Sequence, residues 1–178
     1  MADATFDELL TETAQIERPV VELDAEGGPR TPTCQPTGES VRVRIADART
    51  LSERGLLGRA EDVTHVIYAR IADLRAADRL VTRPVTTALA EDVEAGESTL
   101  PVEATDGIRD GMCVELGAQE MTVRAVGAGE LTVTPSTNAD HETGESVRVI
   151  ERYLVMAVED AAGAGHHLRI AAKALQGR

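Results

Sequence analysis

Aromatic residues and lysine are nearly missing from this sequence. Its 178 residues include one Phe, two Tyr and no Trp, and Lys173 is the single Lys beside seventeen Arg. Any hydrophobic core must therefore be built from Val, Leu, Ile and Ala, and oligomerisation is a common way to stabilise such a core. The shortage of aromatic side chains also disfavours a carbohydrate-binding groove, since grooves of that kind usually depend on them.

Positive charge is scarce as well. The formal net charge is −13 at pH 7, and an acidic surface repels nucleic acid phosphates, which disfavours a sequence-specific DNA-binding protein. Two explanations of the acidic, Arg-rich composition remain open. One is a GC-rich genome, and the other is adaptation of a halophilic organism to salt, which screens the repulsion between like charges.

Long apolar segments, a signal peptide and paired cysteines are also missing. No apolar run approaches the roughly 18 residues of a membrane-spanning helix. The start, MADATFDELLTET, has neither a basic region nor an apolar core, so we expect a protein that is made in the cytoplasm and does not enter a membrane. Cys34 and Cys113 lack metal-type spacing, and we expect two partly or fully buried free thiols.

The sequence contains none of the common catalytic motifs, such as GxSxG, HExxH, a P-loop or GxGxxG. His166 and His167 are adjacent, so in a strand they face opposite sides and cannot bind one ion together. His141 lies between Asp140 and Glu142 and could join a metal site, but such residues are ordinary in polar turns. We therefore expect no enzyme activity, no cofactor and no metal.

Alternating apolar and polar residues predict strands in the first part of the chain. The sequence from Thr5 to Glu8 fits a capping box and predicts a short helix over Phe6 to Leu10. TAQIERPVVEL, ESVRVRIADA and VTHVIYARI then have the period of half-buried strands, and DAEGGPRTP predicts a long polar turn after the first of them. In the second of these strands, Arg42 and Arg44 would face solvent or a neighbouring subunit.

The pattern changes between Val85 and Ile150. STLPVEA, MCVELG, QEMTVRAV, GELTVTP and SVRVI are five short alternating runs, separated by Gly-containing turns, which is typical of a compact antiparallel module. After them, RYLVMAVED and HHLRIAAKAL alternate again, and the segment from Asp160 to Gly165 predicts a hairpin turn between them.

A fourth β-segment begins at Asp78-Arg79-Leu80-Val81. The four β-segments before Arg83 and the two after Glu151 are each too few to bury a core alone. We therefore predict a mainly β protein with two parts. Residues 1–84 and 151–178 would form a small, discontinuous β-barrel with a short N-terminal helix. An inserted antiparallel β-domain, residues 85–150, would interrupt it.

The segment RTLSERGLLGRAED predicts a contact loop. Gly55 and Gly58 argue against a long helix there, and three leucines left in water would be unfavourable. The loop either folds back on the barrel or contacts another subunit. The candidate subunit or lumen contacts are Arg42, Arg44, Arg49, Leu51, Arg54, Leu56, Leu57 and Arg59.

Four stretches carry a family resemblance. They are FDELLTETAQIER, RVRIADARTLSERG, EDVTHVIYARIADLRAADRLV with its Val-Thr-His element, and YLVMAVEDAAGAGHHLRIAAKAL. Together they resemble the head-closure, or head–tail joining, proteins of long-tailed phages and archaeal tailed viruses. The inserted module departs from that family, because Tyr153-Leu154-Val155 resembles a strand that usually follows Asp78-Arg79-Leu80-Val81 without an insertion.

The resemblance implies a structural virion protein, assembled in the host cytoplasm, that forms a ring of six or twelve identical subunits in the neck of the particle. The ring would close the DNA-filled head and join it to the tail. Its partners would be a portal or adaptor protein above and a tail terminator or tail tube protein below. Double-stranded DNA would pass through the lumen without sequence-specific binding. The gate would be the loop Arg49 to Asp62 or the turn Asp24 to Thr33.

Two alternative functions remain open from the sequence. One is another ring subunit of the neck or tail, such as a tail terminator. The other is a host- or carbohydrate-binding protein that consists of a β-module and an accessory barrel.

Overall fold

The protein is described from a computed structural model, which covers residues 6, 8–22, 24–26, 28, 30–48, 63–70, 72–160 and 167–175. The chain divides into two compact units. The first contains Met1–Thr82 and Arg152–Leu175, and the second contains Arg83–Glu151 and Gln176–Arg178.

The prediction of a mainly β protein is confirmed. Among the described residues the chain forms eleven strands: β1 (Glu12–Val20), β2 (Thr33–Asp47), β3 (His65–Arg70), β4 (Arg79–Thr82), β5 (Thr86–Ala88), β6 (Thr99–Pro101), β7 (Cys113–Leu116), β8 (Gln119–Val126), β9 (Glu130–Thr134), β10 (Ser146–Asp160) and β11 (His167–Leu175).

The strands of the first unit form a closed hydrogen-bonded circuit. Their order is β11, β3, β2, β1, β4 and β10, and β10 pairs back with β11. This is the connectivity of a sheet that closes on itself, in which each strand has a neighbour on both sides. The circuit needs strands from both ends of the sequence, because β4 ends at Thr82 and its neighbour β10 reaches the first unit only at Arg152.

Small aliphatic side chains fill the core of the first unit, as the composition requires. The alternation of VRVRI buries Val41 and Val43 and leaves Arg42 and Arg44 exposed. Tyr153 is the aromatic member of the cluster. Its other buried members are Ala14, Ile16, Ile67, Ala69, Leu74, Leu80, Val155, Leu168, Ile170 and Ala172.

The second unit has its own sheet and its own core. The strand order there is β5, β10, β7, β8, β9 and β6, and a bridge between Leu89 and Val102 joins the residues that follow β5 and β6. The sequence from Arg83 to Glu151 contains no aromatic residue. The core is therefore aliphatic apart from Met121, and its members are Leu89, Val93, Leu100, Val102, Ile108, Val114, Leu116, Met121, Val123, Leu131, Val133, Val147 and Val149.

Three details differ from the sequence-based expectations. The N-terminal helix is not found among the described residues, where helical conformation is limited to Phe6, Glu8 and Leu9. SVRVI and RYLVMAVED form one continuous strand, β10, instead of two. The hairpin turn expected from Asp160 to Gly165 lies outside the described residues after Asp160.

The third difference concerns the turn between β1 and β2, which is tighter than the expected long turn. Arg30 N donates to Glu22 O, and Asp24 N donates to Gly28 O, both at 2.8 Å. The Asp24 carboxylate also accepts a 2.6 Å hydrogen bond from Gly28 N. The two strands are therefore paired almost to the tip of the hairpin.

The β1–β2 hairpin extends beyond the closed circuit as a two-stranded ribbon. β1 pairs with β4 only from Gln15 to Glu17, whereas its pairing with β2 continues to Val20. A bulge lies where the ribbon leaves the circuit: the register moves from Gln15↔Ser40 to Glu17↔Pro36, and Gly38 has φ +83° there. Bulges bend and twist a strand, so this one sets the direction of the ribbon.

Removal of the second unit should leave a folded first unit. The variant lacks residues Thr86 to Arg148 and carries a short Gly-Ser bridge, which is sufficient because β4 and β10 are neighbouring strands. We expect a cooperative thermal transition and a β-type far-ultraviolet circular dichroism spectrum. A spectrum of unfolded chain would contradict the division into two units, and the full-length protein is the control.

Candidate functional site

Arginine side chains cluster on the outer face of β2, β3 and β11 in the first unit. Cross-strand register places Arg44 opposite Tyr68 and places Tyr68 opposite Arg169. Directly opposed residues of paired strands project to the same side of the sheet. The next positions of β3 and β11 add Arg70 opposite His167. We call this surface the arginine face: Arg42, Arg44, Tyr68, Arg70, His167 and Arg169.

The arginine face is accessible on β2 and at the end of β3. Arg42, Arg44 and Arg70 are exposed, whereas Tyr68 and Arg169 are half-buried. The Nε atom of Arg169 is buried and has no hydrogen-bond partner within the described part of the chain. Glu159 of β10 lies opposite Arg169. Several guanidinium groups thus share one surface of a protein whose net charge is −13.

The N-terminal residues lie against one margin of the arginine face. The ring of Phe6 is 4.6 Å from that of His167, measured between centroids. Nη2 of Arg42 donates a hydrogen bond to the carbonyl oxygen of Leu10, which is fully buried. Arg42 is therefore partly engaged within the chain, and the structure shows no comparable hydrogen bond for Arg44 among its described residues.

Of the eight predicted contact residues, the structure describes Arg42 and Arg44, and both are part of the arginine face. Sequence reasoning missed Arg70 and Arg169 as members of the same surface. The alternation in VIYARI and LRIAAKAL could have placed each of them opposite the aliphatic side of its strand. The other six candidates, Arg49, Leu51, Arg54, Leu56, Leu57 and Arg59, lie in the interval 49–62, outside the described residues.

The tip of the ribbon has the opposite charge. Glu22, Asp24 and Glu26 lie around the hairpin turn, with Arg30 as the nearby cation. Glu22 and Glu26 are exposed. Val20 and Val21, beside them, expose 37% and 54% of their surface, which is high for valine. The tip thus combines carboxylates with accessible apolar groups, a composition suited to contact with another protein.

A buried ion pair fixes the base of the ribbon. The guanidinium of Arg18 donates from Nε and Nη2 to the two carboxylate oxygens of Asp78, both at 3.0 Å. Asp78 is 1% exposed and also accepts a 3.0 Å hydrogen bond from Arg75 N. Arg18 reaches the carbonyl oxygen of Asp73 at 2.7 Å. The residues between β3 and β4 are thereby held against β1.

The ion pairs at this base also change pKa values. The hydrogen bond to Asp78 raises the pKa of Arg18 above its ordinary value. Hydrogen bonds from Arg75, and then from Arg18, lower the pKa of the Asp73 carboxyl group. Arg18 and Asp73 therefore remain ionised at neutral pH. Charge-assisted hydrogen bonds from Arg18 then hold Asp73 and Asp78 against β1.

Histidines of the described residues have structural partners. Nδ1 of His65 lies 2.8 Å from the Thr64 hydroxyl, and its Nε2 lies 3.3 Å from Asp47, so both ring nitrogens have partners. In the second unit, Nδ1 of His141 is 3.0 Å from Glu145. Nε2 of His141 is buried without a hydrogen-bond partner in the described part of the chain.

A depression lies near this histidine in the second unit. It has a volume of about 260 Å³ and is lined by Glu115, Gly117, Glu145, Ser146 and Arg148. Arg83 Nε donates to Glu115 at 3.1 Å, so one of the lining carboxylates is already neutralised. His141 does not line the depression.

Within the described residues no group of three or more His, Cys, Asp or Glu side chains is placed to hold a metal ion. The same part of the chain contains no helix that is long and apolar enough to cross a membrane. Cys34 and Cys113 are free and half-buried, in agreement with the prediction for two free thiols.

No protein-family model matches this chain, and no match was found among curated proteins. The candidate site is therefore argued from its own geometry. It consists of the arginine face and the acidic tip of the ribbon, two surfaces of opposite charge that belong to the same unit.

Replacement of Asp78 by Ala should destabilise the first unit more than replacement of Asp73 by Ala. The side chain of Asp78 is 2% exposed and that of Asp73 is 56% exposed. Loss of Asp78 removes the acceptor of the Arg75 amide and of two Arg18 donors, and loss of one hydrogen bond costs about 0.5–1.5 kcal/mol. Chemical unfolding of both variants measures the difference, and equal losses would contradict a clamping role for Asp78.

Asp92 should contribute stability that is lost in acid. Hydrogen bonds from the hydroxyl and then the backbone N–H of Thr143, at 2.7 and 2.8 Å, lower the pKa of the Asp92 carboxyl group in the folded protein. Its contribution is therefore complete above the unfolded-state value of about 3.9 and is lost as pH falls through the lowered folded-state value.

The variant Asp92→Ala should therefore have a lower thermal midpoint than the wild type at pH 7. The two midpoints should converge at a pH below the lowered pKa of Asp92. The control is Glu91→Ala, which changes an exposed neighbour. It should leave the thermal midpoint almost unchanged at both pH values. A gap between Asp92→Ala and wild type that does not vary with pH would contradict this assignment.

Proposed function

We propose that this chain is a structural virion protein whose copies form a ring in the neck of a tailed virus, where the ring closes the DNA-filled head and joins it to the tail. The first unit would supply the ring body. The second unit is an addition to that body, and it is inserted between two strands that are neighbours in the first unit.

The interrupted circuit of the first unit is the observation that carries the proposal. The stretches that resemble head-closure proteins lie in β1 to β4 and in β10 and β11. These are the strands that pair with one another in the first unit. The arrangement supports the proposal because the resemblance at both ends of the sequence then describes one body instead of two unrelated segments.

The charge distribution fits a ring that surrounds DNA without holding it. A net charge of −13 gives few favourable contacts with phosphates and little release of counterions, so DNA can move past the protein. Closure of the channel would then be steric. The positive charge of the arginine face is confined to one side of the sheet and is better suited to carboxylates of a protein partner.

A tail-terminator ring is the second candidate, since it would also use a β-rich subunit with contacts on both sides. A carbohydrate-binding role has less support, because the second unit contains no aromatic residue for a sugar to stack on. The proteins that co-purify with the ring distinguish the first two functions. A head-closure ring binds a portal or adaptor protein, whereas a terminator ring caps the tail tube.

Particles assembled without this protein should package DNA and then lose it. The measurement compares the DNA content of heads made with and without the chain, both before and after incubation with nuclease. Complementation with the wild-type chain should restore the protected DNA. Heads that keep their genome without this chain would contradict the closure function, and tails of uncontrolled length would favour the terminator.

A further inference from the structure

We propose that the acidic ribbon tip of one copy docks on the arginine face of a second copy. The tip is defined by Glu22, Asp24 and Glu26, and the arginine face was defined above. The proposal deepens the proposed function and rests on it for the closure of the contacts into a ring. The contact itself follows from the charges and geometry of the first unit.

The ribbon needs a partner because it is an isolated hairpin. From Arg18 to Val20, β1 pairs only with β2 among the described strands, and β2 pairs with β3 only from Val43 onwards. Two-stranded ribbons are marginally stable in water without further packing. Their unpaired edges and the exposed Val20 and Val21 would be better stabilised against another protein surface.

The ribbon tip cannot reach the arginine face of its own copy. Both surfaces lie along β2, which continues from Thr33 at the ribbon to Arg44 on the face. Eleven residues of extended chain separate these two positions, a distance of roughly 36 Å at about 3.3 Å per residue. Hydrogen bonds between the strands hold the ribbon extended up to Asp24. The carboxylates of the tip can therefore meet the arginine face only in another copy.

The two surfaces are complementary in charge and in hydrogen-bonding groups. The tip presents carboxylates that only accept hydrogen bonds, and the face presents guanidinium groups that only donate them. Arg44 is exposed and shows no side-chain hydrogen bond within the described part of the chain, so its guanidinium is available to a carboxylate. The exposed guanidinium of Arg42 lies two positions away on the same side of β2.

A contact between two different surfaces of identical copies is heterologous. Such contacts repeat from copy to copy, and they produce a closed ring when the rotation between neighbours divides a full turn. The bulge at Gly38, where the ribbon leaves the circuit, sets the direction of the ribbon and with it the angle between copies. The arginine pair Arg42 and Arg44 then acts as a docking surface for a neighbouring subunit.

Charge exchange tests this contact. One variant carries Glu22→Arg and Glu26→Arg on the ribbon, and a second carries Arg44→Glu and Arg70→Glu on the face. Asp24 is retained because it closes the turn through Gly28 N. Sedimentation velocity of the full-length protein at low ionic strength measures self-association, and circular dichroism checks that each variant is folded.

Each double variant should weaken self-association by at least about tenfold, because like charges then meet at the contact. The quadruple variant should restore association, since the charges are exchanged and again opposite. The controls Glu91→Arg with Glu103→Arg, and Arg109→Glu with Arg124→Glu, make the same charge changes at exposed positions of the second unit. They should associate like the wild type.

Three results would overturn the inference. They are a wild-type protein that stays monomeric at every concentration measured, double variants that associate normally, or a quadruple variant that stays dissociated although folded. The retention of DNA in particles that lack the chain is a separate measurement. If the charge variants associate normally but particles without the chain lose their DNA, the head-closure function stands and the subunits use a different interface. If the charge variants behave as expected but particles without the chain keep their DNA, the contact stands and the head-closure function is wrong.

Discussion

The pairing of β10 with both β4 and β11 is the constraint on which the first unit depends. β10 and β11 close a circuit that β1 to β4 leave open. Without them, β3 and β4 would present unpaired edges, and the core cluster would lose five of its thirteen buried members, namely Tyr153, Val155, Leu168, Ile170 and Ala172. Burial of each aliphatic side chain contributes about 1.5–3 kcal/mol at most, so a core with a single aromatic residue needs the complete circuit.

The distribution of charge gives the closed body its directionality. The chain has a net charge of −13, yet the outer sides of β2, β3 and β11 collect arginines through cross-strand register. The ribbon places carboxylates at the far end of two of the strands of the same unit. A body whose two ends differ in charge is suited to head-to-tail association, in which the acidic end of each copy contacts the basic surface of the next.

Strand positions could be predicted from the sequence because alternation is a local property. The alternation of Val41, Val43 and Ile45 predicted β2, and the Gly-separated runs predicted the strands of the second unit. The continuity of β10 was hidden by Glu151 and Arg152, which look like a break between two runs. Glu151 in fact continues the spacing of Val147, Val149, Tyr153 and Val155, and it is the position at which the strand passes from one core to the other.

The candidate site was less accessible to sequence reasoning. Arg42 and Arg44 could be assigned to an outer face from their own strand, but their grouping with Arg70 and Arg169 requires the order β11, β3, β2, which no local pattern encodes. The ribbon could not be predicted from the sequence, because Pro32, Pro36 and Gly38 ordinarily indicate a loop. Proline is tolerated in such a strand because an unpaired edge does not require its missing N–H.

The insertion point also has a consequence for the order in which the chain folds during synthesis. All strands of the second unit precede β11 in the sequence, so they leave the ribosome before β11 does and can pair first. β1 to β4, although made earlier, must wait for β11 before their circuit closes. A growing chain therefore has the strands of the second unit complete while the circuit of the first is still open, and its open strands stay exposed to aggregation or chaperones until β11 pairs with them.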